Sequence, residues 1–305
     1  MKHKIIFLIG PTASGKTEIA VKLAKKINAE IISCDSMQVY KGMQILSDAP
    51  SEELRKKVCY HLIAHVKPTS EYNVVRFCRE ATGKIKEILN KGKIPLFVGG
   101  TGLYYKAILD GIFYGDTEDK NIRARLYEEA KKYGGEFLYK RLKEIDPQAS
   151  LKIHHHDLRR IVRALEVYEK TGIPISVWQK KAKGIFYNYD VKIFGLLWPK
   201  ELLFKRIDQR IESMFKRGLI GEVRNLLKIN LSRTARQALG VKEISGYLEG
   251  KYSLEEAKKL LKLNTYRLVK KQLTWFKRDK RIIWIKLKDS YNYDKILKDI
   301  IKIIK

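Results

Sequence analysis

Five consecutive apolar residues, Ile5 to Ile9, follow Lys2, His3 and Lys4 and run directly into Gly10 and Pro11. An unbroken isoleucine-rich run of that length predicts a strand covered on both faces, as in a parallel sheet. From Thr17 to Ile27 the period changes: Ile19, Ala20, Leu23, Ala24 and Ile27 share one helical face, with Lys22, Lys25 and Lys26 turned away. Two more short strands are expected. Ala29 to Ser33 leads into Cys34 and Asp35, and Ile94 to Val98 follows a helical segment near Ala81 to Leu89 and leads into Gly99, Gly100 and Thr101. Alternation of strand, helix and strand predicts βαβ units, hence an α/β fold with a parallel sheet flanked by helices.

The pattern shifts after Gly115. Asp116 to Tyr187 reads as charged amphipathic helices without a parallel-sheet strand, which predicts an inserted, mainly helical subdomain at 116–187 within a core of 1–115 and 188–305. Its clearest helix has Asp157 as N-cap, an apolar face of Leu158, Ile161, Val162, Leu165 and Tyr168, and a stop at Gly172 with Pro174 just beyond. Arg159, Arg160 and Arg163 crowd its first turns. A strand is expected at Lys192 to Leu197, and the rest of the chain reads as basic helices returning to the core. No internal repeat or low-complexity tract is evident.

Composition narrows the partners. The 305 residues carry 63 Lys and Arg against 34 Asp and Glu, a formal charge of +29, while 45% of residues are hydrophobic. Such a chain is globular, and its charge favours an anionic partner: phosphate-rich ligand, nucleic acid or anionic membrane surface. Cys34, Cys59 and Cys78 contain no CxxC pair, so a disulfide framework or zinc ribbon is not expected. All apolar runs fall well short of the ~18–20 residues that span a bilayer. The expectation is a cytoplasmic protein with no membrane role.

Gly10-Pro11-Thr12-Ala13-Ser14-Gly15-Lys16-Thr17 fits GxxxxGK[ST] between a predicted strand and a predicted helix. Glycines let successive N–H groups wrap an anion, Lys16 adds charge, and the Thr17 hydroxyl can ligate Mg²⁺. The fold expected is therefore P-loop NTPase-like, binding a diphosphate or triphosphate. Ligands of such sheets bind beyond the carboxyl ends of the strands, where Asp35 and Gly99 to Thr101 also fall. Asp35 could hold Mg²⁺ through water, act as a base on a bound nucleophile, or cap a helix. Gly99, Gly100 and Gly102 could admit a ligand close to the backbone or simply form a tight turn.

Together, GPTASGKT at Gly10 to Thr17, Asp35-Ser36-Met37-Gln38-Val39-Tyr40 and Gly99-Gly100-Thr101-Gly102-Leu103-Tyr104 resemble the tRNA dimethylallyltransferases, also called tRNA isopentenyltransferases. The resemblance continues through Arg159-Arg160, Arg163 to Val167, Gln237 to Gly240 and Lys271 to Phe276, so it covers nearly the whole chain. It implies transfer of a dimethylallyl group from dimethylallyl diphosphate to N6 of the adenosine 3′ of the anticodon, in tRNAs reading U-initial codons. The donor diphosphate would then lie on Gly10, Thr12, Ala13, Ser14, Gly15, Lys16 and Thr17 with Arg123 and Arg210, and Mg²⁺ near Thr17. Asp35 would take the proton of the attacking amine, Thr101 would orient the reacting groups, and Gln38 would read the adenine edge. The tRNA would meet Asp35, Ser36, Met37, Gln38, Thr101, Arg123, Arg159, Arg160, Arg163, Lys270, Lys271 and Gln272, the helical subdomain clasping the anticodon arm. The resemblance also implies a monomer.

Two stretches depart from the family pattern: His154-His155-His156-Asp157 replaces His-Pro-Asn-Asp, and Val241 stands where an aromatic is common. Adjacent histidines on a helix point apart and lack a partner cluster, so His154 to His156 are not expected to bind a metal. His61 and His65 lack the glutamate of an HExxH site and read as packing or loop residues. The C-terminal basic residues Arg267, Lys270, Lys271, Lys277, Arg278, Lys280 and Arg281 gather around Tyr266, Trp275 and Phe276, a mixture suited to phosphates and stacked bases. A small-molecule or nucleoside kinase shares the phosphate loop and following Asp, and is the alternative reading. A non-catalytic RNA-binding protein is the third, and the retained Lys16, Asp35 and Thr101 argue against it.

Overall fold

The computed structural model describes residues 2–113, 118–288 and 292–304. Its strands are β1 (Lys4–Ile9), β2 (Ala29–Ser33), β3 (Tyr60–His61), β4 (Ile94–Gly99), β5 (Asp190–Leu197) and β6 (Ile283–Lys286). They form one sheet in the order β3-β2-β4-β1-β5-β6, with every pair parallel. Helices α1 (Lys16–Lys26), α2 (Glu52–Lys57), α3 (Val74–Asn90) and α4 (Gly102–Asp110) belong to the first half of the sheet. Then come α5 (Lys120–Tyr133), α6 (Gly135–Ile145), α7 (Pro147–Ser150), α8 (Leu158–Thr171) and α9 (Ile175–Lys181). After β5 follow α10 (Lys200–Lys216), α11 (Leu219–Leu227), α12 (Val241–Leu248), α13 (Leu254–Phe276) and α14 (Tyr293–Ile304).

The continuous apolar run of β1 has the burial its pattern demands. Ile5 to Ile9 are each 0% exposed, every such side chain stabilising the fold by roughly 1.5–3 kcal/mol relative to exposure. On α1 the buried residues are Ile19, Ala20, Val21, Leu23 and Ala24, and Lys22, Lys25 and Lys26 are exposed. Two strands escaped the sequence pattern. β3 has only two residues, too few to show a period. β6 is a sheet edge with mostly exposed or half-buried positions, so the expectation of an all-helical remainder after β5 is corrected.

The chain divides into two compact units, Met1–Leu109 with Ile185–Lys305, and Asp110–Gly184. The junction expected after Gly115 falls outside the described residues. In the second unit all described elements are helical, packed on Leu126, Leu138, Leu142, Ile161, Val162 and Leu165. Asp157 caps α8 by accepting from the Arg160 N–H at 3.3 Å, and Gly172 ends it in the left-handed conformation. Of that helix's expected apolar face, Leu158 and Tyr168 are only half-buried.

At the outer edge of the sheet, Glu30 on β2 accepts from His61 Nε2 (2.7 Å) and Lys93 Nζ (2.9 Å). Burial alone would raise its carboxyl pKa, but these hydrogen bonds and the Lys91 charge hold it at about 2. Cys59 Sγ lies 3.6 Å from His61 Nε2, so oxygen, nitrogen and sulfur converge here. Two lysines already neutralise the carboxylate, and the group reads as a pin for the short β3 strand. His65 pairs with Glu80, and Cys34, Cys59 and Cys78 form no disulfide. Among the described residues no helix is long and apolar enough to cross a membrane.

Candidate active site

Four neighbouring strand ends supply the site. β1 ends in the phosphate loop, β2 in Cys34 and Asp35, β4 in Gly99 to Thr101, and β5 in Trp198. Because β4 and β1 are hydrogen-bonded neighbours and β2 lies next to β4, loops far apart in sequence are brought together. Gly99 must be glycine, since a Cβ there would sit 2.0 Å from the Cys34 carbonyl oxygen. That close approach lets the Thr101 N–H donate to the Cys34 carbonyl at 3.2 Å. Thr101 Oγ1 in turn accepts from the Ser36 N–H at 3.0 Å. Asp35 Oδ1 accepts from the Met37 N–H (2.9 Å) and Gln38 N–H (3.4 Å), so the carboxylate is held by its own turn. Gln38 Oε1 accepts from Ser33 Oγ at 3.1 Å.

The phosphate loop is held from behind by residues outside the motif. Trp198 Nε1 donates to the Ser14 carbonyl (3.0 Å), and Arg206 Nε donates to the Ala13 carbonyl (2.9 Å) while its guanidinium lies 4.6 Å from the Trp198 ring centroid. These contacts fix Ala13 at φ 61, a conformation uncommon for a side-chain-bearing residue. Lys16 Nζ folds over the loop onto the Pro11 carbonyl at 2.6 Å. Burial lowers its pKa from 10.5 to about 8, with Asp35 opposing and Arg210 reinforcing the shift. Arg210 is anchored by Asp48 at 3.2 Å.

Two chambers open here. The first, about 400 Å³, is lined by the phosphate loop, Asp48, Arg206 and Arg210. The second, about 610 Å³, has apolar walls from Met37, Leu46, Leu103, Met214 and Leu261, with Lys271 and Trp275 from α13. Thr12, Asp35, Ser47, Gly100, Arg210 and Gln272 line both, so Asp35 stands where a charged chamber meets an apolar one. The oxygen donors around the first, Thr17, Asp35 and Asp48, are hard ligands of the type that Mg²⁺ takes alongside phosphate oxygens, and the residues present fit that ion.

The family model described as IPP transferase matches residues 38–279, and that described as isopentenyl transferase matches 3–64. The chain is 48% identical to the tRNA dimethylallyltransferase of Carboxydothermus hydrogenoformans over 93% of its own length and 92% of that protein's. It is 46% identical to the one from Thermoanaerobacter sp., covering 99% and 98%. The chain belongs to the tRNA dimethylallyltransferase family. Solved structures agree. The full-length tRNA isopentenylpyrophosphate transferase from Bacillus halodurans matches with a TM-score of 0.74 at 37% identity, covering 99% of this chain and 96% of that one. A eukaryotic dimethylallyltransferase acting on tRNA matches at 0.84 and 27% identity, covering 98% and 80%. The fold is accordingly P-loop NTPase-like, the enzyme class is prenyltransferase, and the kinase reading is not favoured.

The other expected site residues lie in the helical unit and on α13. Arg123 lies in the helical unit and is paired with the fully buried Glu166 at 2.9 Å. Arg163 shares that carboxylate at 2.9 Å, while Arg159 and Arg160 are exposed. Lys270 and Lys271 are exposed on α13. Gln272 spends both ends of its amide inside the protein, accepting from the Thr12 N–H (3.0 Å) and donating to the Gly100 carbonyl (2.9 Å).

The aromatic cluster is corrected in part. Phe276 is 0% exposed against Tyr105, and Tyr266 stacks on Phe204 and donates to Asp208, which leaves Trp275, 42% exposed, as the accessible ring. Asp48, Trp198 and Arg206 were missed. Arg206 had a signal, four residues before Arg210 on one helix; Asp48 had none.

Proposed function

We propose that this chain transfers the dimethylallyl group of dimethylallyl diphosphate to N6 of the adenosine 3′ of the anticodon, in tRNAs reading U-initial codons. The observation that carries this reading is the position of Asp35 between the phosphate-loop chamber and the apolar one. Two substrates entering from different sides meet at such a carboxylate. The diphosphate occupies Gly10 and Thr12 to Thr17 with Arg210. The allylic chain and the adenine occupy the apolar chamber.

An exocyclic amine is a weak nucleophile, so Asp35 assists by accepting its proton as the C–N bond forms. Thr101, hydrogen-bonded to the Ser36 backbone, orients the reacting groups. As the C–O bond to the diphosphate breaks, negative charge gathers on the leaving oxygens. Lys16, Arg210 and the loop N–H groups stabilise it. Mg²⁺ held near Thr17 would add to that neutralisation. Stacked in an anticodon loop, N6 is out of reach, so the adenosine is flipped into the apolar chamber. Ser36 and Met37 line that chamber, and Gln38, on the wall of the neighbouring phosphate chamber beside Asp35, reads the adenine edge. Arg123, Arg159, Arg160, Arg163, Lys270 and Lys271 contact the anticodon arm. The enzyme acts as a monomer in the cytoplasm, where its tRNA is.

The test is incubation with Mg²⁺, labelled dimethylallyl diphosphate and an unmodified tRNA carrying the target adenosine. Label enters the tRNA and is lost when that adenosine is replaced by guanosine. Label that persists after the replacement refutes the site. No label, with phosphorylation of a small molecule from ATP, refutes the reaction.

A further inference from the structure

Helix α13 grips the site at two points. Gln272 Oε1 accepts from the Thr12 N–H at 3.0 Å and its Nε2 donates to the Gly100 carbonyl at 2.9 Å. Three residues on, the Trp275 ring lies so close to Gly102 that a Cβ there would come within 2.6 Å of it. A Cβ on Gly100 would meet Gln272 Nε2 at 2.7 Å, so the glycine pair is shaped to this helix. One planar amide thus joins the phosphate loop to the turn that carries Thr101. Thr101 in turn holds Ser36, beside Asp35. Lys271, on the same helix, lines the apolar chamber.

We propose that Gln272 is a positioning residue that sets the distance between the donor's diphosphate and the Asp35–Thr101 pair, and that it acts through this clamp and not by touching RNA. The inference rests on the dimethylallyl-transfer reading. In-line displacement is sensitive to the separation of nucleophile and leaving group, and a side chain that holds two loops by fixed amide geometry supplies that separation before either substrate arrives.

Gln272→Leu keeps volume and helix propensity but removes both hydrogen bonds. Gln272→Glu keeps the acceptor for Thr12 and turns a carboxylate toward the Gly100 carbonyl. With Gln272→Leu we expect kcat to fall ~10- to 100-fold and the donor KM to rise several-fold, while tRNA Kd by filter binding stays within about threefold. Gln272→Glu weakens donor binding further than Leu, since its charge faces the diphosphate. Affinity for inorganic diphosphate with Mg²⁺, measured calorimetrically without RNA, falls in both variants. That readout stands even if transfer to tRNA were absent, so it separates failure of the clamp from failure of the proposed reaction. The proposal is overturned if tRNA affinity drops tenfold with donor KM and kcat at saturating tRNA unchanged, which makes Gln272 an RNA contact. It is equally overturned if all constants stay at wild-type values, or if both ligands are lost together with a large fall in Tm.

Discussion

The two chambers at the end of the sheet are built in opposite ways. The phosphate chamber takes its loop backbone and Lys16 from one unbroken segment, Thr12 to Thr17, and adds charge from α10. The apolar chamber is gathered from Met37 and Leu46, Leu103, Met214, Leu239 and one side of α13, elements spread along the chain. Binding a diphosphate needs converging N–H groups, which a single turn provides. Enclosing a base and an allylic chain needs area, which only several elements can provide. One chamber is therefore a motif and the other a consequence of the fold.

The sharpest probe of this division acts where the chambers meet. Asp35→Ala should lower turnover by ~10²-fold or more with donor and tRNA affinities each within a few-fold, as expected for loss of a general base. Steady-state assays with both ligands saturating check it, and unchanged turnover removes Asp35 from the chemistry. On the phosphate side, Lys16→Met should weaken donor binding by roughly 10- to 100-fold, the value of a charge-assisted hydrogen bond, and leave tRNA binding alone. Its pKa of about 8 adds a pH dependence. The amine is cationic below that value, so wild-type donor affinity should hold near neutrality and fall as pH rises through about 8, a slope that Lys16→Met abolishes.

On the RNA side the effects are smaller. Replacing Lys270 and Lys271 by Ala should weaken tRNA binding and flatten its log–log salt dependence by about one unit for each phosphate left unpaired. Donor affinity should not move; if it does, the α13 surface and the phosphate chamber are one electrostatic unit. The smallest change is expected from Leu103→Ala, at a chamber wall that is 49% exposed. Trimming that apolar wall should raise the tRNA KM by only about threefold, and a change in donor KM instead would place the allylic chain there.

This asymmetry also governs what could be read from the amino acids alone. The phosphate loop was legible because its motif is local, and the placement of Asp35 and Thr101 because they follow recognisable strands. The clamp was not legible: no pattern near Gln272 announces a partner 260 residues away. β3 was too short to have a period. The aromatic cluster was legible and misread. On α13 the buried positions Ala257, Leu261, Thr265, Val269 and Phe276 keep a helical spacing that puts Phe276 inside and its neighbour Trp275 outside.

The long reach of Gln272 also has a consequence in time. At roughly 5–20 residues per second of synthesis, the phosphate loop leaves the ribosome tens of seconds before the glutamine that ties it to the Thr101 turn is made. A nascent chain can assemble β1 to β5 without that tie, holding loops that would bind phosphate but no fixed distance across which to react. Joining an early-made part of the site to one made 260 residues later makes catalytic competence wait on the synthesis of α13.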